Sequence, residues 1–192
     1  GAINPIIDCF QAIVRAEVMV QPIISHQEQQ QFLGKMIEMA YIKTPLGIAK
    51  IEGDEDGISV ISINTEEKVT SKVPKVLQEA VTQLNDYFLG KRKDFTFKLN
   101  PKGTEFQQKV WQELLNIPYG KTINYLDLAK KLGDPKVIRA AASANGKNPI
   151  WIVVPCHRVI GTDGSLTGYA GGLWRKKWLL EHENPTNQQS LF

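Results

Sequence analysis

Cysteine is nearly absent from this chain: Cys9 and Cys156 are its two thiols in 192 residues, and they lie far apart in unlike surroundings. That scarcity excludes a disulfide framework and a four-ligand zinc site, so neither a metal nor a covalent staple is expected to hold the fold, and a reducing, cytoplasmic setting fits best. Long apolar runs are missing too. None approaches the roughly 18 residues that cross a bilayer, which excludes a spanning helix and a membrane role. Residues 1–35 also lack a basic start followed by an unbroken apolar stretch, because Asp8, Arg15 and Glu17 interrupt it, so a signal peptide is not expected. Neither sign of charge dominates: 23 Lys+Arg against 20 Asp+Glu leave +3, too mild to demand a nucleic-acid partner and compatible with one if the charge is localised. What remains, 42% hydrophobic residues, is ordinary for a packed globular chain.

Residues 1–36 include the polar run Gln27-Glu28-Gln29-Gln30-Gln31 and are expected to form an extension outside the functional fold, with a short helix as the alternative. From Glu38 the pattern sharpens. Glu38 to Lys43, Ile48 to Glu52 and Ile58 to Ile63 read as strands separated by Pro45-Leu46-Gly47 and Asp54-Glu55-Asp56-Gly57, an antiparallel meander. Pro74 opens a helix whose apolar residues, Val76-Leu77, Ala80-Val81, Leu84 and Tyr87-Phe88, recur at helical spacing until Gly90. It should cover the sheet. Phe95 and Phe97 alternate with polar neighbours as one more strand, and Asn100-Pro101-Lys102-Gly103 reads as a linker.

Beyond the linker, Thr104 can cap a helix striped by Phe106, Val110-Trp111 and Leu114-Leu115. A second helix is expected from Thr122 to Leu132, ended by Gly133, and a third starts at Pro135 behind the capping Asp134. Two short helices about a tight Gly turn make a helix-turn-helix, a motif found both in DNA-binding and in plain helical domains. The last helix presents Ala140, Ala141, Ala142, Ser143 and Ala144, with Arg139 and Lys136 for charge. Small residues allow close approach to another helix or to the narrow minor groove of DNA.

Pro155-Cys156-His157-Arg158-Val159 follows the apolar run Ile150 to Val154, which reads as a buried strand that would hold the sulfur still. A thiol beside an imidazole is a candidate nucleophile beside a base, although a lone Cys in apolar surroundings is more often a core residue. The neighbours decide between these. Gly161, Gly164, Gly168, Gly171 and Gly172 crowd the next segment, a backbone able to pass close to a planar ligand, for which a core strand has no use.

With Tyr119-Gly120-Lys121-Thr122 and Tyr125, Arg139 among small residues, Asn148-Pro149, the Pro155 to Val159 motif, and Gly168-Tyr169-Ala170-Gly171-Gly172-Leu173 followed by Glu183, residues 37–183 resemble the methylated-DNA protein-cysteine methyltransferases, or O6-alkylguanine-DNA alkyltransferases. The resemblance implies an α+β fold: a small N-terminal antiparallel sheet with a covering helix (residues 37–100), then a helical domain with the helix-turn-helix and the active-site Cys loop (residues 101–184). It implies direct-reversal DNA repair, in which Cys156 takes the alkyl group from guanine O6, and from thymine O4 in some relatives, once and irreversibly. His157 would activate the thiol through a water and Glu183 would orient His157. Tyr125 would donate to the departing base, and Val159 and Ala170 would offer backbone amides while the Cys156 carbonyl receives the exocyclic amine. Arg139 would fill the stack left by a flipped base, Asn148 would tie the recognition helix to the Cys turn, and Tyr169 with Gly171 would line the pocket. The implied partner is double-stranded DNA bearing alkylated bases, bound through the minor groove by a monomer, with no cofactor and no metal.

Some positions depart from that family. Ala170 replaces the Ser of some relatives, Trp151 is bulky where others carry a small residue or Pro, and Cys9 and His26 match no family site. Two rivals remain: a non-catalytic lesion binder of the same fold, against which the retained Cys156 speaks, and a Cys-His hydrolase, for which the Arg139 helix has no role. Residues 185–192 read as a tail whose end, Gln188-Gln189-Ser190-Leu191-Phe192, resembles the bacterial sliding-clamp peptide, with Gln189 in place of the usual Leu.

Overall fold

The β-branched segments that follow Ile37 pair as their alternation requires. In a computed structural model that describes residues 25–185, strands β1 (Glu38–Thr44), β2 (Gly47–Asp54) and β3 (Gly57–Thr65) form an antiparallel sheet in the order β1-β2-β3. Two-residue turns join them, closing on Thr44↔Gly47 and Asp54↔Gly57. Ala40, Ile42, Ala49, Ile51, Ile61 and Ile63 alternate onto one buried face. Over it lies a 3-10 turn (Lys75–Leu77) continued by a helix (Gln78–Phe88) that buries Leu77, Ala80, Leu84 and Tyr87. The chain divides after Met36. Ahead of that point the described residues form α1 (His26–Gly34), held by a capping box between Ser25 and Glu28 and burying no residue; the sheet-covering helix is therefore α2.

Phe95 and Phe97 do not form the expected strand. Only Leu99 bridges to Ile58, because Ile58 N–H donates to Lys98 O and the Ile58 carbonyl accepts from Asn100, while Thr96 N–H is taken by the Gln83 side chain. Both rings still pack on the core, so alternation here records burial without a ladder. After the linker comes α3 (Glu105–Leu114), opened by a capping box between Thr104 and Gln107. Helix α4 begins three residues later than the sequence implies, at Tyr125 (Tyr125–Lys131). Ile123–Asn124 are drawn off as strand β4, which pairs in parallel with β5 (Val159–Ile160), and Asn124 with Asp127 makes the cap.

Gly133 carries φ +101° at the turn, a conformation other residues resist, and Asp134 then accepts from Lys136 N–H to start a 3-10 turn (Pro135–Val137) leading into α5 (Ile138–Gly146). Trp111 Nε1 donates to Ala144 O at 2.9 Å, fastening α5 to α3. The apolar run 150–154 is a second correction. It is a buried turn and not a strand: one bridge joins Ile150 to Ile61, then Val154 N–H returns to Ile150 O and Val153 N–H to Trp151 O. Ile152 is forced to φ +74°, a strain of about 1–3 kcal/mol for a branched side chain that full burial on every side must offset. The last helix, α6 (Leu173–Glu183), runs from Gly172 back to the Cys turn.

Candidate active site

Cys156 opens a 3-10 turn (Cys156–Arg158) that follows directly from the buried turn and is 4% exposed. Asn148 holds this backbone: Nδ2 donates to Val154 O at 2.7 Å and Oδ1 accepts from Ile150 N–H at 2.9 Å. Burial pushes the Cys156 thiol up to about 11, opposed by the Asn148 side chain and the charge of Lys176. At neutral pH the sulfur is therefore a thiol, and its attack requires a base.

His157 is the imidazole next to Cys156 in the chain. Its ring is wholly buried, and Nε2 lies 2.7 Å from Glu183 Oε1, so α6 brings Glu183 back to the turn as the resemblance implies. Burial lowers the pKa of His157, against the pull of Glu183, which favours the neutral ring. With Nε2–H donated to the carboxylate, Nδ1 carries the lone pair, and that atom has no protein partner. For Glu183, burial alone would raise the carboxyl pKa. The charges and hydrogen bonds of His157 and Arg158 outweigh it and hold the group well below the usual carboxylate range.

Three residues of this centre carried no assigned role in the sequence. Arg158 forks onto Glu183 (Nε to Oε2 at 2.8 Å, NH2 to Oε1 at 2.8 Å) and donates NH1 to Ile117 O at 2.7 Å. Tyr87 donates its hydroxyl to Glu183 Oε1 at 3.0 Å. Lys176 is fully buried, with Nζ on Val159 O at 2.6 Å and Thr167 O at 2.8 Å; burial lowers its pKa to about 8. Its place in the motif spacing gave no signal, since a helical Lys is normally solvated. Pairing of Arg158 could have been suspected from an Arg embedded beside a catalytic pair.

Between α5 and the glycine loop lies an open cavity of about 760 Å³ whose lining includes Tyr125, Arg139, Ala142, Thr167 and Tyr169; Cys156 is not part of that lining. Tyr125, the first residue of α4, points its hydroxyl to Thr167 O at 3.4 Å, and burial raises its pKa, so it is a donor. Arg139 is exposed near the start of α5. Tyr169 meets Trp151 at 5.7 Å between ring centroids, and a Cβ on Gly171 would come within 2.9 Å of both rings, so only Gly fits between loop and floor. Ala170 is exposed beside it. Val159 N–H closes the turn onto Cys156 O, which also accepts from Asn145 Nδ2 at 3.4 Å, and the Val159 carbonyl receives Lys176 Nζ. Among the described residues no group of three or more His, Cys, Asp and Glu side chains could hold a metal. Cys9 and the segment Gln188–Phe192 lie outside the described residues.

The sequence and the fold are both matched among known proteins. Residues 37–101 match the family described as 6-O-methylguanine DNA methyltransferase, ribonuclease-like domain, and residues 105–185 match its DNA binding domain. The chain belongs to the 6-O-methylguanine DNA methyltransferase family. It is 46% identical over 151 residues to the methylated-DNA–protein-cysteine methyltransferase of Methanosarcina acetivorans, covering 75% of this chain and 96% of that one. The Mycolicibacterium paratuberculosis protein of the same name is 41% identical, covering 81% and 98%. The crystal structure of the Mycobacterium tuberculosis O6-methylguanine methyltransferase superposes with TM-score 0.71 at 42% identity, over 78% of this chain and 94% of that one. A structure of the M. tuberculosis protein in complex with DNA gives TM-score 0.69 at 41% identity, over 80% and 94%. The fold that superposes on it is mixed α+β with a small three-stranded antiparallel sheet. Among the described residues no helix is long and apolar enough to cross a membrane.

Proposed function

We propose that Cys156 is the atom-accepting residue of this DNA-repair methyltransferase and that each molecule acts once. The chain is a methylated-DNA–protein-cysteine S-methyltransferase with DNA as its partner. The observation that carries the residue assignment is the buried Glu183–His157 pair beside a buried, protonated thiol, with Nδ1 of the imidazole left as acceptor. His157 takes the Cys156 proton, through a water as the resemblance implies. The sulfur then displaces the alkyl carbon from guanine O6: the C–O bond breaks, the C–S bond forms, and the electron pair stays on the purine. Tyr125 donates to that purine as charge develops, and Glu183 stabilises the imidazolium. A thioether is not cleaved by water, so the protein is spent.

A base stacked in a duplex is out of reach of a thiol 4% exposed, and flipping it out costs a few kcal/mol. In this reading a monomer docks α5 in the minor groove, Arg139 enters the stack, and the flipped base fills the cavity bounded by Tyr125 and Tyr169. Asn148 then keeps the Cys turn in register with α5. Residues 37–100 serve as a scaffold for the DNA-binding and catalytic residues 101–184, with 1–36 dispensable. Whether O4-alkylthymine is also accepted depends on the pocket that Trp151 and Ala170 border. Peptide mass mapping after reaction with an O6-methylguanine duplex tests the assignment: one added CH2 on the Cys156 peptide, lost in Cys156→Ala, is expected. A methyl group found elsewhere would overturn it.

A further inference from the structure

Four hydrogen bonds converge on one atom, Glu183 Oε1: from His157 Nε2 at 2.7 Å, Arg158 NH2 at 2.8 Å, Tyr87 Oη at 3.0 Å and Arg158 Nε at 3.3 Å. The other oxygen, Oε2, receives Arg158 Nε at 2.8 Å. A carboxylate oxygen has two lone pairs, so donors on Oε1 compete for the same electron density. Three of the four come from the Cys turn. The fourth comes from α2, the helix that covers the N-terminal sheet, ninety-six positions away in sequence.

A buried tyrosine hydroxyl needs some acceptor, and satisfaction of that need is the plain explanation. The placement of Tyr87 goes further. Its side chain is fully buried, and its ring meets Phe95 at 5.5 Å, Tyr119 at 6.3 Å and His182 at 5.1 Å. Its own carbonyl lies 2.7 Å from His182 Nε2, and the His182 ring is stacked on Trp178 at 4.8 Å. Both ends of Tyr87 are thus fastened to the last turn of α6, the turn that carries Glu183. Burial, followed by the charge of Glu183, keeps the hydroxyl protonated and therefore a donor.

We propose that Tyr87 is a positioning residue for alkyl transfer: from the N-terminal half it fixes the Glu183 carboxylate and shares the oxygen that orients His157. The sheet half is then part of the catalytic machinery as well as a scaffold. This rests on the proposed role of His157 as base.

The groups facing Glu183 are Tyr87 from α2, Tyr119 from the loop after α3, His157 and Arg158 from the Cys turn and Tyr169 from the glycine loop, and Lys176 of α6 acts on His157. Removing the Tyr87 donor leaves more charge on Oε1 for the imidazolium, so His157 becomes easier to protonate. Single-turnover methyl transfer to the full-length protein, measured across pH, reads this directly. In Tyr87→Phe the acid limb should move to higher pH, lowering the rate on that limb about three-fold. Placing 3-fluorotyrosine at position 87, a stronger donor that preserves the packing, should move the limb to lower pH. An acid limb that stays put in both proteins, with only the plateau or the melting temperature changed, overturns the inference and leaves a packing role. A profile with no acid limb even in the unsubstituted protein overturns the base role of His157, and this inference with it.

Discussion

Burying a nucleophile works against its own ionisation, and at Cys156 the two demands are separated in space. The sulfur is kept from water, which raises its pKa to about 11, while the adjacent ring, the base we propose, holds Nε2 on a carboxylate. A thiol so buried and protonated is a slow target for small electrophiles. In the absence of DNA, iodoacetamide should label Cys156 slowly at neutral pH, with the rate climbing as pH approaches about 11, followed by mass mapping that separates it from Cys9. Rapid, pH-independent labelling would mean the sulfur is already a thiolate. Lys176 works on the same scale: its ammonium links the carbonyls of Val159 and Thr167, and so joins the strand after the Cys turn to the loop that lines the cavity.

Among the elements, α4 and α5 are the two that we propose position the DNA. Tyr125 begins one and Arg139 lies at the start of the other, so the tight Gly133 turn places a donor and a cation on the same cavity. Replacing Arg139 with Ala removes an exposed side chain with no hydrogen bond or ion pair among the described residues, so the fold should be unaffected. Transfer from duplex DNA should slow about ten-fold or more, with the loss much smaller on a single-stranded substrate where no stack needs filling; equal effects on both would remove the flipping role. Most of these elements were legible. Strands with β-branched alternation, the cap at Thr104, and the Gly133–Asp134 turn follow from local chemistry and match the sequence reading within a residue or two. The misreadings share one cause. Residues 150–154 and 95–97 are apolar because they are buried, and a burial pattern does not tell a ladder from a turn when each backbone finds only one partner across the core. Likewise, Tyr87 and Lys176 could not be read as site residues, since both depend on contacts made by distant segments.

At the scale of the whole chain from residue 37 onward, the two halves meet around the buried charges. Tyr87 reaches Glu183, and Arg175 spans from Leu46 O at 3.0 Å to Gly171 O at 2.8 Å, tying the first hairpin to the glycine loop. Such a centre makes stability depend on pH. His157 has a folded pKa below its ordinary 6.5, and Glu183 one below 4.5, so in each case the unfolded chain binds a proton that the folded one refuses. Their contributions are present above those ordinary values and are lost as pH falls, first for His157 and then for Glu183. The melting temperature should therefore drop between neutral pH and about pH 5, and the drop should shrink in His157→Gln if that ring is its source. A melting temperature independent of pH across that window would mean His157 protonates freely in the folded protein.

If the sulfur of Cys156 is consumed by the reaction, titrating a methylated duplex against a known amount of protein exposes it. Demethylation should stop when one methyl group has been removed per active molecule, with the spent protein carrying it on Cys156. Continued repair beyond that equivalence would contradict it.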